Sequence, residues 1–205
     1  VVTKVAGILL AAGDGTRLGQ PKATVRLGGA TLAERGVRLL RDGGADPVLV
    51  VTGAVPVEIP GTTAVHNPDW LSGMGSSLAA GLRALAQGMP SDGGAAPAAD
   101  AAVIALADQP LIGPAAIRRL LAAHDSGAAV AVAAYDGRPR NPVLIARAHW
   151  AEVLALAAGD TGARPFLRAH PELVTLVECG DISRPDDIDT PQDLARLRAE
   201  LDEAG

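Results

Sequence analysis

The chain has 205 residues, 48% of them hydrophobic but only 2% aromatic, and a formal net charge of −5. That length suits one domain, residues 1–205, with a core built from Ala, Val, Leu and Ile. The acidic balance removes any general electrostatic reason to bind nucleic acid, and no apolar run approaches the roughly 18 residues a membrane span needs. The only cysteine, Cys179, rules out an intramolecular disulfide framework, fits a reducing compartment and reads as a packing residue. With no charged-then-apolar leader at its start, the chain is expected to be cytoplasmic.

The first predicted element is the strand "KVAGILLAA" (Lys4–Ala12), which stops at a glycine-rich turn carrying Gly13, Gly15 and Gly19. Position 18 is Leu, so the turn is not a G-x-G-x-x-G dinucleotide fingerprint, and no Gly-Lys pair makes it a P-loop. Glycines let backbone N–H groups approach phosphate oxygens, and Arg17 and Lys22 just beyond can neutralise a triphosphate or a departing pyrophosphate. An ordinary strand–helix turn is the alternative. Leu32, Gly36, Leu39 and Leu40 then follow at helical spacing, and "PVLVVTG" (Pro47–Gly53) is a second strand. In "WLSGMGSSL", Gly73 and Gly75 precede Ser76 and Ser77 at the start of a helix whose stripe is Leu78, Leu82 and Leu85. Such an N-terminus can grip a base edge, ribose or phosphate, or simply be capped by Ser76. Gly88–Asp100 has the composition of a surface loop.

"AAVIALA" (Ala101–Ala107) is a third strand and ends in Asp108 before the turn proline Pro110. Ligands of open α/β sheets gather at strand carboxyl ends, so Asp108 is placed to serve as a metal carboxylate, with turn capping as the alternative. Ile117, Leu120, Leu121 and His124 mark the next helix, with His124 at its end or on the core edge. "AAVAVAAY" (Ala128–Tyr135) is the fourth strand. Arg138, Arg140, Asn141, Asp160 and Arg164 follow in two Gly- and Pro-rich stretches, where solvated surface arginines are the plain reading. At the end, Thr190 caps a helix with Pro191 in its first turn and Asp193 completing a capping box, above a stripe of Leu194, Leu197 and Leu201. Asp193 is therefore kept out of the site. Asp186, Asp187 and Asp189 offer a second carboxylate, though helix N-termini favour acidic residues anyway. The alternation of strands and helices predicts a Rossmann-like three-layer α/β fold on a mostly parallel sheet.

"LAAGDGTRLGQPK" resembles the signature of the MobA-like NTP transferase superfamily, nucleotidyltransferases of molybdenum-cofactor and sugar-nucleotide chemistry. Four further stretches resemble its molybdenum cofactor cytidylyltransferase branch, in that family's order. They are "NPDWLSGMGSSLAAGL" (Asn67–Leu82), "LADQP" (Leu106–Pro110), "RNPVL" (Arg140–Leu144) with "GDTGAR" (Gly159–Arg164), and "DIDTPQDL" (Asp187–Leu194). The resemblance implies that an acceptor phosphate attacks the α-phosphorus of an NTP and releases pyrophosphate, with CTP and molybdopterin as first substrates. GTP, or a sugar 1-phosphate acceptor, are rivals within the class.

By the same resemblance Mg²⁺ is held by Asp108 and Asp189, with Asp187 behind, while Arg17 and Lys22 stabilise the leaving pyrophosphate. Leu10, Ala11, Ala12 and Gly13, with Gly15 and Thr16, contact the nucleotide. Thr52, Gly53, Asn67, Gly73, Met74, Ser76 and Ser77 complete its site. The acceptor side falls to Gln109, Arg138, Arg140, Asn141, Asp160 and Arg164, and a molybdoenzyme is the implied receiver of the product. There is one departure: the family commonly reads Gly-His-Pro where this chain has "RNP", and Asn141 cannot titrate near neutral pH as His does. A nicotinamide-dependent oxidoreductase and a non-catalytic pterin-cofactor carrier are the alternatives from other classes.

Overall fold

The computed structural model describes residues 3–88 and 98–203. Most of the expected loop Gly88–Asp100 lies outside the described residues. The chain opens with β1 (Val5–Leu10), whose six residues are all buried. A short hairpin, β2 (Arg26–Leu27) and β3 (Ala30–Thr31), leads into α1 (Leu32–Asp42). There Thr31 and Glu34 form a reciprocal capping box, which fixes where the helix begins. β4 (Val48–Thr52), β5 (Thr63–His66) and α2 (Met74–Gln87) follow, then β6 (Ala101–Leu106) and α3 (Pro114–Asp125). The second half is β7 (Val130–Tyr135), β8 (Arg138–Ala146), α4 (Trp150–Leu156), α5 (Arg164–Ala169), β9 (Val174–Glu178) and α6 (Pro191–Glu203).

One seven-stranded sheet runs in the order β5-β4-β1-β6-β8-β7-β9. All neighbours are parallel except β8, which lies antiparallel to both β6 and β7. The sheet is thus mostly parallel, as the four apolar runs require: strands covered on both faces cannot alternate with polar residues. β1 shows the division. Leu9 packs with Val37, Leu40, Ile117 and Leu120 from α1 and α3. Ile8 and Leu10 face the other way, in the core with Leu78, Leu82, Trp150 and Phe166. Gly36 permits the close approach on the first side, since a Cβ there would run into the Leu9 side chain. A third cluster, Leu18, Leu27, Leu32, Ile188, Leu194 and Leu197, ties α6 to the β2–β3 hairpin.

His124 accepts its expected place at a helix end, its Nδ1 2.9 Å from the Ala128 carbonyl oxygen. Cys179 is fully buried and packs in the core, as expected. Three strands of the large sheet, β5, β8 and β9, are not among the runs expected from the sequence, and neither is the β2–β3 hairpin. No helix among the described residues is long and apolar enough to cross a membrane.

Candidate active site

The carboxyl ends of β1 and β6 set the site. Beyond β1 the chain is pinned on both sides: Ala11 N–H donates to Val51 O, Ala54 N–H to Ala12 O, and Ala107 N–H to Leu10 O. The glycine-rich turn follows. Asp14 Oδ1 accepts from the Thr16 backbone N–H and hydroxyl at 3.1 and 2.7 Å. Gly15 O accepts from the N–H groups of Leu18 and Gly19. The fold of this turn delivers Lys22, at the head of a short 3₁₀ turn, back toward β6.

There Lys22 Nζ meets Asp108 Oδ2 at 2.7 Å and Asp189 Oδ1 at 2.5 Å, while Arg17 reaches Asp189 Oδ2 at 3.1 Å. Burial pushes the Lys22 ammonium down, but the charges and hydrogen bonds of Asp108 and Asp189 outweigh it and hold the pKa above its ordinary 10.5. Asp189 reaches Asp108 because the Ile188 N–H donates to the Asp108 carbonyl oxygen at 2.8 Å, stitching the "DIDTP" segment to the "ADQP" turn. A second stitch runs from Gln109 Nε2 to Asp187 Oδ1 at 2.7 Å. Burial raises the Asp187 pKa, the Gln109 hydrogen bond opposes this, and the charges of Asp108 and Asp189 raise it further. Asp193 stays apart as the capping residue. Its carboxylate accepts from the Thr190 N–H and hydroxyl, and its N–H donates to Thr190 Oγ1.

Two cavities meet over this charged centre and share Leu10, Arg17, Met74, Leu106, Asp108 and Asp189 as lining. The smaller, about 560 Å³, gathers most of the residues expected to hold nucleotide: Leu10 to Gly13, Gly15, Thr16, Gly73, Met74 and Ser77, with Lys22 in the same lining. The larger, about 960 Å³, has Ile104, Val143 and Val132 along one wall, three residues in register across β6, β8 and β7. Gln109, Arg140, Asn141 and Arg164, all expected on the acceptor side, line it too.

The two linings do not take in every expected residue as the sequence reading grouped them. Asp160 lines the smaller cavity and not the larger, since its carboxylate is set against Gly73, where a Cβ would come within 2.6 Å of Oδ1. Arg138 lines neither: as the first residue of β8 it pairs with Tyr135 across the tight β7–β8 turn and is exposed. Thr52, Gly53, Asn67 and Ser76 also fall outside both linings. Asn67 is buried and its Nδ2 donates to Ser76 Oγ at 2.8 Å and Ser77 Oγ at 3.0 Å, so these groups brace the wall. A Cβ on Gly53 would lie 2.5 Å from Trp70 Cβ, which explains the glycine as a packing residue. Arg168 lines the larger cavity and went unforeseen. Its spacing of four from Arg164 on one helix was the available signal.

The donor set bears on a metal. Oδ1 of Asp108 is buried with no hydrogen-bond partner, an orphaned carboxylate oxygen that a hard cation would satisfy. Among the described residues no group of three His, Cys, Asp or Glu side chains could hold a metal ion alone. The residues present therefore fit a cation that takes one or two carboxylates here and the rest of its shell from phosphate and water, as Mg²⁺ does.

Residues 7–174 match the profile of the MobA-like NTP transferase domain. The chain belongs to this family. Its activity class is that of a nucleotidyltransferase. A nicotine blue oxidoreductase of Paenarthrobacter nicotinovorans is 36% identical over 94% of this chain and 96% of its own. A probable molybdenum cofactor guanylyltransferase of Opitutus terrae is 52% identical over 50 residues, 24% of this chain and 25% of that protein. Among solved structures, the Rv0371c homolog from Mycobacterium sp. strain JC1 superposes with a TM-score of 0.81 at 29% identity, covering 98% of each chain. Mycobacterium tuberculosis Rv0371c in complex with manganese gives 0.74 at 25% identity, over 96% of this chain and 99% of that one.

Proposed function

We propose that this member of the family transfers a nucleoside monophosphate, CMP first, to the phosphate of an acceptor, molybdopterin first, in a reaction dependent on a divalent cation such as Mg²⁺. An acceptor phosphate oxygen forms a bond to the α-phosphorus of the NTP as the bond to the bridging oxygen of the β-phosphate breaks, and pyrophosphate carries the electron pair away. One observation carries the reading: Arg17, Asp108 and Asp189 line both cavities where they meet, and Lys22, in the lining of the smaller one, bonds both carboxylates. A triphosphate in the smaller cavity and an anionic acceptor in the larger would meet at that centre.

The chain's own groups have distinct tasks in this scheme. Backbone N–H groups of the glycine-rich turn bind phosphate oxygens, and Arg17 and Lys22 offset charge on the departing pyrophosphate. Arg140, Arg164 and Arg168 orient the acceptor's anionic group, and the Ile104–Val143–Val132 wall excludes water from its far side. A divalent cation, when held by Asp108 and Asp189, supplies Lewis-acid stabilisation of the phosphate oxygens. No side chain needs to form a covalent intermediate, because such transfers need mainly positioning and charge neutralisation. A cytoplasmic molybdoenzyme that takes up the product is the partner this reading implies.

Isothermal titration with CTP and GTP in the presence of Mg²⁺ tests the base. We expect CTP to bind more tightly. A preference for GTP of tenfold, about 1.4 kcal/mol, would move the assignment to guanylyl transfer. A second reading, pyridine-nucleotide-dependent reduction, is favoured by the full-length relative whose name is an oxidoreductase. A fluorescence titration that finds saturable NADH binding, together with no thermal stabilisation by any NTP, would select it.

A further inference from the structure

Two carboxylates in this site face two side-chain cations before any ligand arrives. Lys22 Nζ spans Asp108 Oδ2 and Asp189 Oδ1, and Arg17 takes Asp189 Oδ2. Three of the four carboxylate oxygens are thereby occupied. The fourth, Asp108 Oδ1, is closed to solvent and unpartnered. A cation held by both Asp108 and Asp189 would have to draw on the carboxylate pair that the Lys22 ammonium now spans. A divalent cation would also have to displace ammonium and guanidinium contacts already made at 2.5–3.1 Å.

We propose that Lys22, assisted by Arg17, holds the place of the metal in the free protein, so that cation and nucleotide enter only as a coupled pair. The inference rests on the reading that the smaller cavity takes a triphosphate. Lys22 lines that cavity and not the larger one, so phosphate oxygens there are its alternative partners. Its ammonium sits on a flexible four-carbon stem, which allows it to move without moving the turn that carries it. Arg17 is freer still, with 73% of its side chain exposed. When the triphosphate draws both cations across, it uncovers the carboxylate oxygens that the metal needs. Lys22 is thus a positioning residue for the metal as well as a phosphate ligand. Because linkage is reciprocal, the factor by which nucleotide tightens the metal must equal the factor by which metal tightens the nucleotide.

The test uses Mn²⁺ alone as the probe, with free Mn²⁺ counted by electron paramagnetic resonance in the absence of nucleotide. Wild-type protein should bind it weakly. Lys22→Met keeps the length of the stem and removes the charge, and should bind Mn²⁺ at least about tenfold more tightly than wild type. Adding Asp108→Asn to Lys22→Met should abolish the gain, which locates the bound ion. Should Lys22→Met fail to fold, Arg17→Gln at its exposed position should give a smaller gain in the same direction. In a second arm, α,β-methylene-CTP is titrated calorimetrically with EDTA and with Mn²⁺, and wild type should show at least about tenfold tighter binding with the metal. The proposal is overturned if Lys22→Met binds Mn²⁺ no more tightly than wild type, or if the analogue binds wild type equally with and without metal. If the analogue binds under neither condition, the nucleotide reading of the cavity fails instead.

Discussion

Replacing Gly15 with alanine probes whether the glycine-rich turn is a fitted phosphate cradle or a plain connection. Gly15 sits at φ +64°, in the left-handed region, and a Cβ there would overlap the Gln20 carbonyl oxygen and lie 3.2 Å from the Lys22 amide nitrogen. The left-handed conformation alone costs an L-residue about 1–2 kcal/mol. Displacing the Gln20 peptide adds about 1–3 kcal/mol of local strain. At roughly 2–4 °C per kcal/mol for a domain of this size, the melting temperature should fall by about 4–20 °C. The groups that must give way belong to the peptide run that delivers Lys22 to Asp108, so nucleotide affinity should fall about tenfold or more, each factor of ten being about 1.4 kcal/mol.

Gly19→Ala is the matched control. Gly19 also has a positive φ, +80°, but a Cβ there meets nothing within 4 Å, so only the backbone cost of about 1–2 kcal/mol applies. Differential scanning fluorimetry with and without CTP, and calorimetric titration of CTP, measure both variants. The reasoning is refuted if Gly15→Ala melts and binds like wild type, or if Gly19→Ala is as damaging as Gly15→Ala.

The other predictions concern the charged centre, the acceptor side and pH. Asp108→Asn keeps shape and removes a charge, so pyrophosphate release should fall about a hundredfold or more while the fold is retained; normal turnover at low Mg²⁺ would exclude Asp108 as a metal ligand. Arg140→Ala should raise the acceptor KM by about tenfold, the order expected for losing one charge-assisted hydrogen bond, and leave CTP affinity unchanged. A collapse of CTP affinity alone would place Arg140 on the nucleotide side. His170 lies 3.1 Å from Glu172 through Nδ1 and 2.6 Å from Glu152 through Nε2, and the Glu172 hydrogen bond, with Glu152 adding to it, raises its pKa above 6.5. A folded pKa above the unfolded one means stabilisation that is full below about pH 6.5 and lost as pH rises through the raised value. The melting-temperature gap between wild type and His170→Gln should therefore be widest below about pH 6.5 and close as pH rises through the raised value. A gap that is flat across that range would dismiss the ion pairs.

What the sequence shows of this fold depends on where each strand gets its stability. β1, β4, β6 and β7 are continuous apolar runs because helices cover both faces, and a run of that kind is visible without any partner. β5 and β9 are the two edges of the sheet, with exposed residues interleaved, and their apolar signal is correspondingly thin. β8 is the hardest case. Its first half, Arg138 to Asn141, is mostly polar and exposed or half-buried, and the strand carries two prolines, Pro139 and Pro142, which demote any strand reading. Its strand character comes from ladders with β6 and β7, so it exists only once those are in place.

The direction of β8 is also what completes the site. Parallel strands offer their carboxyl ends to one rim of the sheet, and β1 and β6 bring the glycine-rich turn and Asp108 there. A neighbour running the other way offers its beginning to the same rim. With Val143 opposite Ile104, the residues before it in β8 stand beside those after it in β6. Arg140 and Asn141 therefore reach the larger cavity alongside Gln109, although more than thirty residues separate them in sequence. Had β8 been parallel, the same residues would start at the opposite end of the sheet. Motif order carries no information about that direction. Asp189 has the same dependence in miniature: three acidic residues precede α6, and what sets Asp189 against Lys22 is the Ile188 hydrogen bond to the Asp108 carbonyl, a contact across eighty residues that no local spacing encodes.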